Sequence, residues 1–413
     1  MNMTDIRQAV SEWLDANWSP DFSLREWRNL LVDGGWAAPH WPTEWYGRGF
    51  TAEEAGVVRD VFNEKGALGA AQTGPRLLAA ETILAHGTDD QKSRYLRPIL
   101  TGEHAWCQLF SEPGSGSDLA GASTRAELID GNWIINGQKV WNTSAHHADF
   151  GILLARTDWD LPKHQGLSYF LINMRQPGVE VRPLKQMNGH ASFNEVFMTD
   201  AVVPAADLIG GEGNGWAVAA TTLSFERRGF SRNRTGKGMQ GPQVGRIYDE
   251  FERELAIDNE PYTWYPQREG RVDLVLPRAR STGAIKDPVV RQEIARLLCL
   301  SKAAQLASAS AEAKRRAGTN EVIPAGSIGK LAASVIARQA AQVHTMISGA
   351  DAMLSGPDSA EAGMVAETLI SVPAISIAGG TDEIQRNIIA ERVLGMPKEL
   401  RSDTGPFRDI KRN

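Results

Sequence analysis

The chain has 413 residues and a formal net charge of -6, which is long enough for two or three packed domains around a sizeable core. Its charges are interspersed and form no basic stripe, so nucleic acid and an anionic membrane surface are excluded as main partners. Apolar runs fall short of the roughly 18 to 20 residues of a bilayer span, and the start MNMTDIRQAVSEW reads as an amphipathic helix rather than a secretory signal, so a cytoplasmic protein is expected.

From residue 1 to about 103 the pattern is helical. Ile6, Val10, Trp13 and Leu14 recur at helical spacing, and Leu24, Trp27, Leu30 and Leu31 repeat the theme. Asp33-Gly34-Gly35 and the Pro39 to Pro42 segment interrupt it, and Trp36, Trp41 and Trp45 are expected to pack back onto the helices. Thr88 with Gln91 forms a capping-box signature for a helix through Leu100.

At His104 the periodicity becomes alternating. Asp130-Gly131 and Asn136-Gly137 predict consecutive antiparallel hairpins, followed by strands at Gly151 to Arg156, Leu167 to Asn173, Val179 to Arg182 and Phe193 to Phe197. This β block closes near Pro204, ahead of a glycine-rich hinge at residues 210–215. Helical periodicity returns at Trp216. Residues 241–285, with Pro242, Pro261, Pro266 and Pro277, read as an irregular insertion. Alanine-rich helical stretches follow at 287–316, 327–349, 360–371 and 382–394, which suggests a bundle. The domains expected are therefore 1–103, helical; 104–213, β; and 214–413, helical. Cys107 and Cys299 stand far apart and are read as buried free thiols. The eight histidines lack metal-ligand spacing, so no metal is expected, and His146 and His147 are read as structural or surface residues.

Three segments carry chemistry. In Ser111-Glu112-Pro113-Gly114-Ser115-Gly116-Ser117-Asp118, glycines allow backbone amides to face one side while serines add donors, which suits a polar ring edge or a phosphate. In Lys139-Val-Trp-Asn-Thr-Ser144, Trp141 offers a flat apolar face and Thr143 a hydroxyl. In Ala378-Gly379-Gly380-Thr381-Asp382-Glu383, two glycines precede a helix start with Thr381 as N-cap and Ile384, Ile388 and Ile389 as the expected buried stripe. Each of these alone also suits an ordinary turn, a core tryptophan or a plain helix start.

Together and in this order, FSEPGSGSDLAG, NGQKVWNTS, VPAADLIGGEGNGW and GGTDEIQRNIIAERVLG resemble the acyl-CoA dehydrogenase family over nearly the whole chain. The resemblance implies an α+β fold: an N-terminal helical domain, a middle antiparallel β domain and a C-terminal four-helix bundle. It also implies FAD held between the middle and last domains and a neighbouring subunit. Carried over by residue, Gln108, Phe110, Ser111, Gly116 and Ser117 belong to the flavin-contacting loop, with Ser111 on the isoalloxazine and Ser117 near substrate. Trp141 and Thr143 cover and hydrogen-bond the ring, and Gly380, Thr381 and Glu383 lie near the ribityl and adenylate portions.

The implied reaction is α,β-dehydrogenation of an acyl-CoA thioester to the trans-2-enoyl-CoA, with an electron-transfer flavoprotein as acceptor. Where many members carry the catalytic glutamate, this chain has Gly379. In Leu223-Ser-Phe-Glu-Arg-Arg228, Glu226 matches the substitute base of another branch, its competing role being an ion pair with Arg227, Arg228 or Arg232. Arg227 resembles the arginine that helps hold the CoA moiety. The usual Arg-x-x-Phe-Gly segment is missing, leaving Arg280 or Arg291 as substitutes, and Glu112 and Asp118 are read as structural. The departures resemble actinobacterial-type members acting on bulky, branched or sterol-derived acyl chains, some of them heterotetramers with a paralogous subunit, others homodimers or homotetramers. Two further readings are a half-site subunit of a heteromeric enzyme and a flavin monooxygenase or oxidase on the same fold.

Overall fold

Polar residues at helix starts set the first part of the chain. In the computed structural model, α1 (Met3–Asn17), α2 (Leu24–Asp33), α3 (Ala52–Glu64) and α5 (Asp89–Thr101) each begin at a capping box, led by Asn2, Ser23, Thr51 and Thr88. With α4 (Gly74–His86) they bury Ile6, Val10, Leu14, Trp27 and Leu31. Trp36 and Trp41 are buried beside them as expected, and Trp13 packs on the Trp27 and Trp36 rings at 5.5 and 6.0 Å. The structure describes residues 2–71, 74–229, 239–316, 325–400 and 403–410.

The middle of the chain folds as β1 (Trp106–Leu109), β2 (Arg125–Ile129), β3 (Asn132–Thr143), β4 (Phe150–Arg156), β5 (Leu167–Asn173), β6 (Val179–Leu184), β7 (Phe193–Pro204) and β8 (Leu208–Ile209). The sheet order is β6-β7-β3-β2-β4-β5-β8, with β1 added beside β4. Pairing is antiparallel except for β1 with β4 and β2 with β4. Asp130 and Gly131, at φ 47 and 79, make the expected β2–β3 turn. Asn136-Gly137 does not make a second one. β3 runs straight through it, and Gly137 sits at φ 157 where the register against β7 shifts. A Cβ at Gly137 would come within 2.6 Å of Thr124 Oγ1, so close packing selects this glycine.

After the sheet come α6 (Gly215–Gly229) and α7 (Arg246–Asn259), then α8 (Tyr265–Arg268), α9 (Val272–Ser281), α10 (Pro288–Arg316), α11 (Ala325–Ser348), α12 (Met364–Ser371), α13 (Pro373–Ile377) and α14 (Asp382–Arg392). Two units emerge from the contacts: Met1–Leu184 with Ser192–Pro261 and Ser402–Asn413, and Lys185–Ala191 with Tyr262–Arg401. The chain thus has an N-terminal helical part, a middle sheet and C-terminal helices.

Residues 241–285, expected to be irregular, are largely helical. In the first unit α7 is fastened by ion pairs, Glu254 meeting Arg28 at 2.7 Å and Arg76 at 2.8 Å, while Tyr248 donates to Gly66 O at 2.6 Å. In the second, buried Arg278 of α9 donates to His344 Nδ1 and Ser348 Oγ, both at 2.7 Å. Polar contacts of this kind carry no apolar periodicity.

Two more expectations change. Helix α14 buries Asp382 and Gln385, leaving Ile384, Ile388 and Ile389 half-buried, because Asp382 docks on Lys330 and Arg338 of α11, each at 3.1 Å. Cys107 is buried but Cys299 is exposed. The stretch Glu361–Arg392, with a window of mean hydropathy 1.5, is long and apolar enough to cross a membrane by length and composition. It folds as α12, α13 and α14, broken at Pro373 and at Ala378–Gly380.

Candidate functional site

Strand β1 leads into the Ser111–Ser117 loop, and the loop owes its shape to what lies beneath it. Reciprocal backbone bonds of 3.0 Å between Glu112 and Ser115 close its turn, and Val140 N donates to Ser111 O at 2.9 Å. Phe110 is buried edge-on against Tyr169, with ring centroids 5.8 Å apart. The Glu112 side chain points inward. It accepts from Lys139 Nζ at 2.8 Å, Ser123 N at 2.7 Å and Thr124 N at 2.8 Å, while Lys139 also donates to Phe110 O at 3.0 Å. Burial pushes the Glu112 carboxyl up, but the Lys139 charge and the hydrogen bonds outweigh it and hold the group down at about 2. Asp118 accepts two 2.8 Å bonds from Lys163, fixing the far end of the loop.

The outer face of this loop is open. Among the described residues, a Cβ placed at Gly114 or Gly116 would meet no heavy atom within 4 Å, so none of them demands glycine there by packing. Ser111 is half-buried, and Gly116 and Ser117 are exposed. Glycines that packing does not require, on a face left clear, suit the close approach of a polar cofactor.

The end of β3 supplies the next pair. Its register against β7 shifts between Lys139 and Asn142, and in that bulge Trp141 takes φ +62 and stays 56% exposed. A left-handed backbone costs a tryptophan about 1–2 kcal/mol, and strain of this kind collects at ligand sites. The indole is steadied edge-on by Phe193 at 5.8 Å, with most of its face outward. Half-buried Thr143 pairs with Phe193 one residue beyond Asn142. A flat apolar surface and a hydroxyl therefore stand side by side.

Glu226 reaches the same unit from α6. That helix is anchored through Thr222, whose Oγ1 lies 2.9 Å from Thr82 Oγ1 and 3.0 Å from the Tyr169 hydroxyl, all three residues fully buried. His86 adds a 2.9 Å bond to Thr221. Glu226 follows one turn after Thr222, half-buried, and accepts from Gln108 Nε2 at 3.5 Å. Leu223 and Phe225, just before it in sequence, pack against the buried core. The side chains of Arg227 and Arg228, and the whole of Arg232, lie outside the described residues.

Gly380, Thr381 and Glu383 lie together in the second unit. Thr381 caps α14 by accepting from Ile384 N at 3.3 Å, and Glu383 is exposed and pairs with Arg386. Gly379 and Gly380 take φ +67 and +86, so a glutamate side chain at Gly379 would be strained on this backbone. Gly380 also has a packing role, since a Cβ there would come within 2.7 Å of Gln385 Nε2, which donates to the carbonyls of both glycines. Arg280 and Arg291 are both exposed. His146 and His147 are exposed, with their rings tilted against each other at 4.0 Å between centroids. Among the described residues no group of three or more His, Cys, Asp or Glu is placed to hold a metal.

Sequence reasoning missed the supports. Lys139 and Asn142 stood inside the quoted motif, yet an inward lysine has no local signature. Thr222 and Tyr169 come from separate elements, 53 residues apart, and only the fold unites them.

Residues 3–103, 107–201 and 271–394 match the N-terminal, middle and C-terminal domains of acyl-CoA dehydrogenase. The chain is 33% identical over 426 residues to acyl-CoA dehydrogenase IpdE1 of Mycobacterium tuberculosis, covering 97% of this chain and 99% of that protein. It is 36% identical over 375 residues to acyl-CoA dehydrogenase FadE34 of the same organism, covering 89% of this chain but spanning 46% of that longer protein. Among solved structures, the Tcur3481-Tcur3483 steroid ACAD superposes with a TM-score of 0.65 at 23% identity, covering 96% of this chain and 98% of that one. With three successive domains matched and a relative aligned end to end, the chain belongs to the acyl-CoA dehydrogenase family and is an FAD-dependent oxidoreductase.

Proposed function

We propose that this enzyme dehydrogenates an acyl-CoA thioester between its α and β carbons, with Glu226 as the base for the α proton and an electron-transfer flavoprotein as electron acceptor. The observation that carries the reading is the carboxylate of Glu226 on α6, half-buried and facing Gln108 of the strand that runs into the Ser111–Ser117 loop. Gly379, in a left-handed conformation, offers no alternative base.

FAD, when bound, supplies the hydride-accepting chemistry. What falls to the chain's own residues is proton removal, orientation and exclusion of water. The α proton of a thioester is weakly acidic, so a base for it needs partial desolvation and a polarised carbonyl opposite. Half-burial of Glu226, on a helix whose Leu223 and Phe225 pack against the buried core, supports the first requirement. Ser111, Ser117, Trp141 and Thr143 are the residues we assign to the cofactor face, with Ser117 and Arg227 toward substrate.

For the acyl group we favour a branched or ring-bearing chain. A solved relative of the same fold is described as a steroid ACAD. We also propose an oligomer, homomeric or with a paralogous subunit. Exposed Val289, Leu298 and Leu306, spaced along α10, support it.

Anaerobic titration tests the reading, using octanoyl-CoA, isobutyryl-CoA, cyclohexanecarboxyl-CoA and a steroid side-chain acyl-CoA while flavin absorbance is followed. Bleaching by at least one of them is expected, strongest for the branched or ring-bearing thioesters. Absence of bleaching with all four would sink the proposal, and rapid oxygen consumption in a parallel aerobic assay would favour an oxidase.

A further inference from the structure

Resting on the reading of Glu226 as base, we propose that Gln108 is a positioning residue for Glu226, fixing its carboxylate relative to the strand end that carries Trp141 and Thr143. The resemblance assigns Gln108 to the flavin. Its observed side-chain contact is different: Nε2 donates to Glu226 Oε2 at 3.5 Å, across 118 residues of sequence.

The backbone of Gln108 is tied to the other side of the site. Its carbonyl accepts from Asn142 Nδ2 at 2.7 Å, and Asn142 is the buried residue between Trp141 and Thr143. The Asn142 carbonyl in turn accepts from Asn194 Nδ2 of β7 at 2.9 Å. One residue therefore touches the candidate base with its side chain and the aromatic strand end with its main chain. Any displacement of β1 moves both together.

The chemistry of a carboxamide suits this task. A glutamate on a helix has three rotatable side-chain bonds, and each hydrogen bond its carboxylate accepts narrows the choice among its rotamers. An amide N–H restrains the carboxylate by a hydrogen bond without bringing a full positive charge. A lysine or arginine at that point would favour the ionised form strongly and weaken the base. The helix beneath cannot slide to compensate, because Thr222, one turn earlier, is held by Thr82 and Tyr169.

The test uses the full-length FAD-loaded enzyme and whichever of the four thioesters bleaches the wild type fastest. Gln108→Leu removes the amide, and Gln108→Asn keeps it but shortens the reach by one methylene from a contact already at 3.5 Å. FAD content, KM and the flavin reduction rate at saturating substrate are measured for both, beside Glu226→Gln. Loss of a hydrogen bond to a charged group predicts reduction about tenfold slower in both Gln108 variants, with FAD content unchanged and KM within about twofold. Wild-type reduction in Gln108→Leu would overturn the proposal. So would loss of FAD from both variants, which would return the residue to a cofactor-holding role. Full-rate reduction in Glu226→Gln would instead remove the base reading itself, so the two failures are told apart.

Discussion

Lys139 Nζ and Glu112 Oε1 stand 2.8 Å apart beneath the Ser111–Ser117 loop, the lysine side chain wholly buried and the glutamate side chain 6% exposed. Removing one partner of such a pair leaves an uncompensated charge in the interior. Glu112→Gln or Lys139→Met should each destabilise the first unit by about 3–5 kcal/mol. The double variant should lose less than the sum of the two, because both substitutions delete the same interaction. Thermal or denaturant unfolding of all three variants beside the wild type measures it.

The same pair predicts an acid limb. The Glu112 carboxyl is lowered in the folded chain from its ordinary value of 4.5 to about 2. A depressed carboxyl contributes stability that is fully present above pH 4.5 and is lost as pH falls toward about 2. Unfolding free energy followed through that window should decline in the wild type. In Glu112→Gln this part of the decline should be missing.

Trp141 separates stability from function. Its φ of +62 and 56% exposure mean that the indole adds strain and little burial. Trp141→Gly relieves the left-handed conformation, so the melting temperature of the apo-protein should hold or rise, the strain being worth about 1–2 kcal/mol. Retention of FAD in the same variant should fall, because the flat face assigned to the ring is gone. A variant that keeps FAD as firmly as the wild type would remove Trp141 from the cofactor face.

Thr222→Val tests the anchor of α6. The substitution preserves shape and deletes the hydroxyl shared by Thr82 and Tyr169, both fully buried. Leaving those groups short of partners should cost about 1–3 kcal/mol. Chemical denaturation reads the loss directly.

Much of the architecture was legible because it follows local rules. Thr88 with Gln91 marked a helix start, and the short, nearly unbroken apolar runs from Gly151 to Arg156 and from Leu167 to Asn173 marked two central strands. Asn136-Gly137 misled because the same dipeptide chemistry serves a hairpin turn and a bulge, and the choice was made by Thr124 packing against Gly137. Residues 241–285 hid their helices because Glu254 and Arg278 dock through buried polar contacts. For the site, the motif around Trp141 was readable as a string, whereas its supports were not. Glu112 reads as structural in the string, but nothing there names buried Lys139 as its partner. The Gln108 to Glu226 contact spans a strand and a helix brought together by tertiary packing, to which Thr82, Tyr169 and Thr222 contribute.

The central claim is that Glu226 takes the α proton. Single-turnover reduction of the flavin in Glu226→Gln, under anaerobic conditions with the thioester that serves the wild type best, tests it most directly. With FAD content matched to wild type, the account predicts reduction slowed by about 10²–10⁴-fold, the range lost with a general base. Reduction of the Glu226→Gln flavin at the wild-type rate would contradict it.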